Sequence, residues 1–230
     1  MEFQVFSPEE LLGPLNEVET KHAPKRLFVS GDVGVLSKGA RVAIVGSRKA
    51  SDAGLRRAKK LAELLAGRGD VVVSGLASGI DTVAHKAAMA AGGKTIAVLG
   101  TPLDKVYPRE NAELQRTILR EHLAISEFPV GYKTNRGSFP MRNRTMALLS
   151  DVTVILEAGD SSGSLSQGWE ALRLGRGLFI AKSTTENKAL SWPKEMLHYG
   201  AEILSDKDLE AFFHFLPPRR RLEEDAAVPF

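Results

Sequence analysis

Val-Ala-Ile-Val-Gly-Ser-Arg, residues 42–48, is an apolar run that stops at a glycine, a hydroxyl and a cation. Four consecutive apolar residues suit a parallel strand covered on both faces. Gly46 lets the backbone turn tightly and come close to a ligand. Ser51 is placed to cap a following helix, whose first amides would point at whatever sits in the loop. Arg48 adds a planar fork of donors suited to phosphate. An ordinary strand–loop–helix junction with a surface arginine satisfies the same residues, so the weight falls on whether such junctions recur.

They do. The strand predicted over 42–46 leads into a helix over 51–67, with Leu55, Ala58, Leu61, Ala62 and Leu65 at helical spacing and Gly67 and Gly69 ending it. Strands at 71–74, 95–99, 123–126, 152–156, 177–181 and 201–204 alternate with helices near 79–91, 111–121, 140–149, 164–174, 192–198 and 206–215. This alternation means right-handed crossovers and a mostly parallel sheet with helices on both faces, an α/β fold. Ligands of such sheets bind beyond the carboxyl ends of the strands. Residues 1–40 carry a weaker pattern, in which Leu11-Leu12 and Leu27-Phe28-Val29 could anchor a short helix and a strand, and read as an N-terminal extension packed on a domain spanning 41–216. The tail 217–230 has mixed charge and few apolar anchors, so disorder is expected there.

Composition narrows the function. The 230 residues, 43% hydrophobic and 26% charged, are ordinary for a globular chain. No apolar stretch approaches a membrane span and the acidic N-terminus lacks a secretory pattern, so no membrane partner is expected. The absence of cysteine excludes disulfides and thiol chemistry and fits a cytoplasmic location. Five scattered histidines have no ligand spacing, so neither a metal nor another cofactor is expected. The net charge of +3 says little, but its distribution says more. Seven Arg/Lys against one acid lie between Arg41 and Lys60, and four against none between Phe128 and Ser150. Local basic density marks a polyanion partner, although Arg56, Arg57, Lys59 and Lys60 also suit a solvated helix face.

The predicted strand ends all carry small or polar residues: Gly46-Ser47-Arg48, Ser74-Gly75 with Ser78-Gly79, Gly100-Thr101, Ser126-Glu127, and Glu157 ahead of Ser161-Ser162-Gly163-Ser164. Together they describe a cleft of amides and hydroxyls suited to phosphate or sugar oxygens. Asp81 is either a first-turn acid favoured by the helix dipole or a ribose contact. In Arg136-Gly-Ser-Phe139-Pro-Met-Arg142-Asn143-Arg144, an aromatic among cations offers single-stranded nucleic acid a stacking platform beside phosphate contacts. Phe139 as a core anchor, and one arginine paired with a carboxylate such as Glu157, fit equally well. Arg142 and Arg144 lie two apart on a helix, so one should face the cleft and the other the surface or an internal pair.

The ordered set VAIVGSRKAS (42–51), VVSGLASGIDTVAHKAAMAAGGKTIAVLG (72–100), Tyr107-Pro108, ISEFP (125–129), FPMRNR (139–144) and Ser162-Gly163-Ser164-Leu165 resembles the DprA/Smf family of DNA-processing proteins. The resemblance implies an extended Rossmann-like fold that binds single-stranded DNA, commonly as a homodimer, and hands it to the recombinase RecA in natural transformation. It implies that Gly46, Ser47 and Arg48 form the phosphate turn. The polar strand ends add Ser74, Gly75, Gly79, Gly163 and Ser164 to that site, and the resemblance further implies that Arg136, or else Lys133, is the basic residue before Phe139, that Phe139 stacks a base, and that Arg142, Asn143 and Arg144 complete the site. The helical and winged-helix-like domains that flank many members are not expected here. Gln167-Gly168-Trp169 stand where the family usually continues with Thr-Ala, and Lys182-Ser183 replace its Pro-Gly turn.

Two other functions fit the same superfamily. Phosphoribohydrolases carry a catalytic Glu three residues after a Gly-Thr, which places Gln167 at that position here. An amide does not do a carboxylate's acid–base work, so no catalytic residue is expected, unless Glu170 serves from nearly one turn further on. A nucleotide-sensing or regulatory module, for instance in phage defense, would use the same cleft for a mononucleotide-derived signal.

Overall fold

The computed structural model describes residues 3–218. The tail expected to be disordered lies, from residue 219 on, outside the described residues. In chain order, β1 (Gln4–Phe6), α1 (Pro8–Leu12) and α2 (Glu17–His22) precede β2 (Leu27–Gly31). The alternating part follows: β3 (Arg41–Val45), α3 (Asp52–Arg68), β4 (Val71–Ser74), α4 (Ile80–Ala90), β5 (Lys94–Leu99), α5 (Ala112–Glu121) and β6 (Leu123–Ser126). Then come α6 (Ser138–Leu149), β7 (Val152–Ile155), α7 (Ser164–Arg173), β8 (Gly177–Ala181), the single turn α8 (Lys182–Thr185), α9 (Trp192–His198), β9 (Glu202–Leu204) and α10 (Leu209–Phe215).

Local chemistry sets these boundaries. Ser51 caps α3, its Oγ accepting the Gly54 N–H at 3.1 Å. Gly69 closes α3 in the left-handed region at φ +75°, where a glycine carries no Cβ penalty. Ala58, Leu61, Ala62 and Leu65 form the buried stripe of α3, as their spacing predicted.

All nine strands form one sheet in the order β1-β2-β6-β5-β4-β3-β7-β8-β9. Strands β3 to β9 run parallel to their neighbours within that group. Alternate residues of β3 feed two separate cores. Ala43 and Val45 pack with Met146 and Leu149 of α6 and with Trp192 and Met196 of α9. Val42 and Ile44 pack on the opposite face with α3, α4 and Phe212 of α10. Coverage of both faces explains the unbroken apolar run at 42–45.

The N-terminal segment, expected to pack on the domain as an extension, supplies two strands of the sheet itself. β2 pairs antiparallel with β6 and β1 pairs antiparallel with β2. Leu27 and Val29 alternate into the core and are fully buried. No helix among the described residues is long and apolar enough to cross a membrane.

The strand order reverses at β3. From there the chain steps outward through β4, β5 and β6, then returns to the other side of β3 as β7 and continues through β8 and β9. The crevice between the carboxyl ends of β3 and β7 is therefore where an α/β sheet leaves room for a ligand.

Candidate functional site

The turn after β3 is built to sit close against three other segments. A Cβ on Gly46 would lie 2.7 Å from Ile80 Cγ1 and 2.9 Å from the Glu157 carbonyl oxygen, so only glycine fits. The Ser47 N–H donates to that same Glu157 carbonyl at 2.7 Å, tying the turn to the end of β7. Ser164 Oγ donates to the Gly46 carbonyl at 3.0 Å. Gly79 has φ +77°, and a Cβ there would come within 2.4 Å of the Ser47 carbonyl oxygen. These four constraints fix the Ser47–Arg48 backbone before any ligand arrives. The Glu157 carboxylate is spent on Ser51, accepting its N–H at 2.9 Å and its hydroxyl at 2.6 Å. It therefore holds the cap of α3 and pairs with no arginine among the described residues.

A cavity of about 490 Å3 opens over this turn, lined among others by Gly46, Ser47, Arg48, Lys49, Phe139, Gly163 and Ser164. Arg48 is exposed, and its guanidinium carbon sits 5.7 Å from the centroid of the Phe139 ring, a cation–π distance. Phe139 is half-buried. A Cβ on Gly100 would approach its ring to 2.7 Å, so the absence of a side chain at the end of β5 gives the ring its seat. Tyr107 lies beside it, with ring centroids 5.4 Å apart and planes tilted by 44°. Tyr107 was visible in the sequence only as part of a Tyr-Pro pair with no assigned role; an aromatic in a Pro-punctuated loop was the available signal.

Arg142 and Asn143 also line this cavity, but their side chains, like that of Ser74, are engaged in internal hydrogen bonds. Ser74 is fully buried and its hydroxyl donates to the Ile44 carbonyl at 2.7 Å, so it joins β4 to β3 and is not free to meet a ligand. Arg142, expected to contact DNA, is only 6% exposed. Its Nη1 donates to the carbonyls of Gly75 and Val98, and its Nε donates to Asn143 Oδ1 at 3.0 Å. A Cβ on Gly75 would fall 1.8 Å from Arg142 Nη1, so Gly75 is the notch that admits the guanidinium. Asn143 is also buried, and its amide donates to the Gly163 carbonyl at 3.0 Å.

Asp81 completes the brace from the other side of the same peptide. Its carboxylate accepts the N–H groups of Gly75 at 3.1 Å and Ala77 at 3.3 Å. Burial pushes its carboxyl upward, while the Arg142 charge and these two N–H groups pull it back. Leu76 between them is held at φ +59°, an uncommon conformation for a bulky residue that the surrounding contacts enforce. The cleft floor is thus a preorganised polar network.

Arg144 points elsewhere: it ion-pairs with Glu170 at 3.2 Å, and Arg173 holds the other oxygen of that carboxylate. The expectation that the two arginines of α6 part company is correct, with Arg142 internal at the cleft floor and Arg144 in a surface pair. Arg136 and Lys133 are exposed on the segment before α6 and do not line the cavity. The hydroxyl at the end of β6 is used internally, Ser126 donating to the Thr101 carbonyl at 2.7 Å. Three of the five polar strand ends, those of β3, β4 and β7, therefore border the cleft; β5 contributes Gly100 as a seat. Gln167 is fully buried beneath it, donating to Thr153 Oγ1 at 3.1 Å.

Comparison with known proteins places this architecture. The family model described as DNA recombination-mediator protein A matches residues 8–215. Protein Smf of Synechocystis is 39% identical over 189 residues, 82% of this chain and 48% of that protein. DNA processing protein DprA of Streptococcus pneumoniae is 38% identical over 218 residues, 93% of this chain and 77% of that protein. The chain thus spans about half to three-quarters of the length of these relatives. The structure of DNA processing protein A from Helicobacter pylori, described for its single-stranded DNA binding mode, superposes with a TM-score of 0.77 at 29% identity. It covers 94% of this chain and 99% of that one. On the family match over most of its length, the chain belongs to the DNA recombination-mediator protein A family, the DprA/Smf family that its motifs resemble.

Proposed function

We propose that this protein binds single-stranded DNA at the cleft between β3 and β7, with Arg48 and Lys49 on phosphates and Phe139 stacked on a base. The observation that carries the reading is the Arg48–Phe139 pair: an exposed guanidinium and a half-exposed ring, 5.7 Å apart in one cavity. Single strands need this combination, because every base presents a π-face and every nucleotide a phosphate. The fixed amides of the Ser47–Arg48 turn favour an anion in the same place. Duplex DNA hides its π-faces in the stack and offers Phe139 nothing to stack on. None of these cleft contacts reads a base edge. Arg136 and Lys133 extend the basic track along the segment before α6.

The reading includes no catalysis. Gln167 cannot act as an acid or base, and Glu170, the next carboxylate along α7, is neutralised by Arg144 and Arg173. Homodimer formation and delivery of the strand to RecA, in the cytoplasm, belong to the same proposal on family grounds. Fluorescence anisotropy with labelled oligo-dT and with a duplex of equal length tests it; tighter binding of the single strand is expected, and equal affinity refutes it. A stoichiometric complex with RecA in co-sedimentation and a dimeric mass in solution test the partner part.

A further inference from the structure

Two motifs of the sequence take no part in the cleft: the cations Arg56, Arg57, Lys59 and Lys60 of α3, and Lys182-Ser183, which stand where the family usually has a Pro-Gly turn. The structure brings part of each together. Arg57 is half-buried, and its Nη2 donates to Ser183 Oγ at 2.7 Å. Thr184 fixes that turn, its buried hydroxyl donating to the Leu156 carbonyl at 2.9 Å. Proline and glycine at 182–183 would supply neither the hydroxyl nor an ammonium. Arg57 enters no ion pair among the described residues. A half-buried cation bonded to a neutral hydroxyl keeps its charge uncompensated and favours an anion beside it.

The cavities around Arg57 say where the anion comes from. One of about 380 Å3 shares Ser47 and Gly159 with the cleft and reaches Arg57 and Ser183. Another of about 210 Å3 shares Arg57 and Ser183 with it and is lined also by Lys60, Lys182, Leu64 and Leu209. The three therefore join into one trough, from Arg48 and Phe139 across the end of β7 to β8 and α10. Arg57, Lys60 and Leu64 fall at i, i+3 and i+7, one face of α3, whereas Arg56 lies exposed off that face and Lys59 pairs with Glu63. Two carboxylates share the trough walls. Glu157 has both oxygens on Ser51, and Asp206 holds Lys60 at 2.7 Å. Lys182 meets Glu186 at 3.6 Å in an exposed pair, which is worth little. Arg57 and Lys182 thus remain for phosphates, with Leu64 and Leu209 as an apolar floor for a base.

We propose that this trough is a second subsite for the same single strand, which leaves the cleft past Ser47 and lays its phosphates on Arg57 and Lys182. The proposal rests on the cleft reading, because the strand's continuation is the ligand. Charge and continuity both call for it: the trough opens from the cleft, and its uncompensated groups are cations. The binding site is then longer than the cleft, and its extra length carries its own share of the salt dependence.

The test is fluorescence anisotropy over a salt series with two lengths of oligo-dT, about 4 nucleotides to occupy the cleft and about 12 to reach the trough. In the parent the longer oligomer should show a salt slope steeper by about 1.4, two contacts at about 0.7 each. Arg57→Ala should weaken the longer oligomer about tenfold, the scale of one charge-assisted bond, and flatten its slope by about 0.7. The shorter oligomer should bind as before. Lys182→Ala should flatten the same slope by a similar amount, and it decides the matter if Arg57→Ala melts below the parent. Arg56→Ala removes an equal charge from the other side of α3 and should change neither length. Three results overturn the proposal: a loss in Arg56→Ala equal to that in Arg57→Ala, an equal loss on both lengths in Arg57→Ala, or unchanged binding of the longer oligomer in both Arg57→Ala and Lys182→Ala. Arg48→Ala tells this from the cleft reading, since it should weaken both lengths. If Arg48→Ala changes neither while Arg57→Ala still weakens the longer one, the cleft reading fails and the trough stands alone; if neither oligomer binds the parent, both readings fall.

Discussion

Replacing Arg142 by methionine should bring the melting temperature well below the parent's, because this arginine braces the cleft floor. The change keeps the side chain's length and apolar stem while removing every donor. It strands the carbonyls of Gly75 and Val98 and the Oδ1 of Asn143, all of which the guanidinium now satisfies. It also leaves the buried Asp81 carboxyl without the positive charge that opposes its desolvation. A single hydrogen bond to a charged group is worth about 1.5–3 kcal/mol, and breaking a buried charged cluster by removing one partner costs about 3–5 kcal/mol. The lower figure for one bond is exceeded because three acceptors are lost together, so about 3–5 kcal/mol is the expected loss. At about 2–4 °C per kcal/mol for a domain of this size, the melting temperature should fall by roughly 6–20 °C. Thermal unfolding followed by circular dichroism measures it, with Arg142→Lys expected to fall between, since an ammonium keeps the charge but not the three-way fork. A methionine variant that melts within about 2 °C of the parent yet loses DNA affinity would show that Arg142 contacts the strand and that the brace is misread.

Phe139→Ala should weaken oligo-dT binding by about 1–3 kcal/mol in anisotropy titrations while leaving its salt dependence unchanged, as loss of one stacked base requires; a changed salt slope argues against stacking. Gly79→Ala should destabilise the fold and weaken binding together, because the new Cβ would meet the Ser47 carbonyl at 2.4 Å in a backbone with φ +77°; a variant that melts like the parent contradicts the seating of the turn. Glu127 gives a pH signature. Its folded carboxyl, raised to about 7 from an ordinary 4.5, costs nothing below about 4.5, where both states are protonated, and its full penalty above about 7. Stability should therefore fall as pH rises through that window, by about 1–2 kcal/mol after allowing for the group's partial solvation, and Glu127→Gln should remove the fall. The groups facing it are Arg144 on α6 and His22, Lys25 and Arg26 on the opposite segment. The reading is the difference between parent and variant, since His85, buried neutral at about 3, destabilises in the opposite direction as pH drops below 6.5.

Much of this fold was legible because the signals were local. The apolar run at 42–45, the glycine that ends it and the Ser51 cap are each short-range features, and each landed within a residue of its place. A strand at 27–29 was legible but its place in the main sheet was not, because that evidence is non-local: Leu27 and Val29 become core residues through antiparallel pairing with β6, almost a hundred positions on. The site divided along the same line. Arg48 and Phe139 could be picked out by type and neighbourhood, and they do share one cavity. That Arg142 would be consumed by the Gly75 and Val98 carbonyls could not be read from its neighbours on α6. Those acceptors come from β4 and β5, and Gly75 looked like turn chemistry rather than a notch for a guanidinium. Glu127 was read only as one polar residue of a strand end for a similar reason: a carboxyl after a strand is unexceptional until the chain folds it into a cavity that Phe28 and Met141 also line.

The claim at the centre of this account is that a strand's phosphates meet Arg48 on the turn after β3, and the salt dependence of oligo-dT binding tests it most directly. Each phosphate contact to a single strand contributes about −0.7 to the slope of log K against log salt, so Arg48, Lys49 and one cation of the segment before α6 should give roughly −2 in the parent. Arg48→Ala should bind more weakly and show a slope of about −1.4, one contact fewer, with an unchanged melting curve. A variant that keeps both the parent's affinity and its slope would contradict the assignment of the cleft as the DNA site.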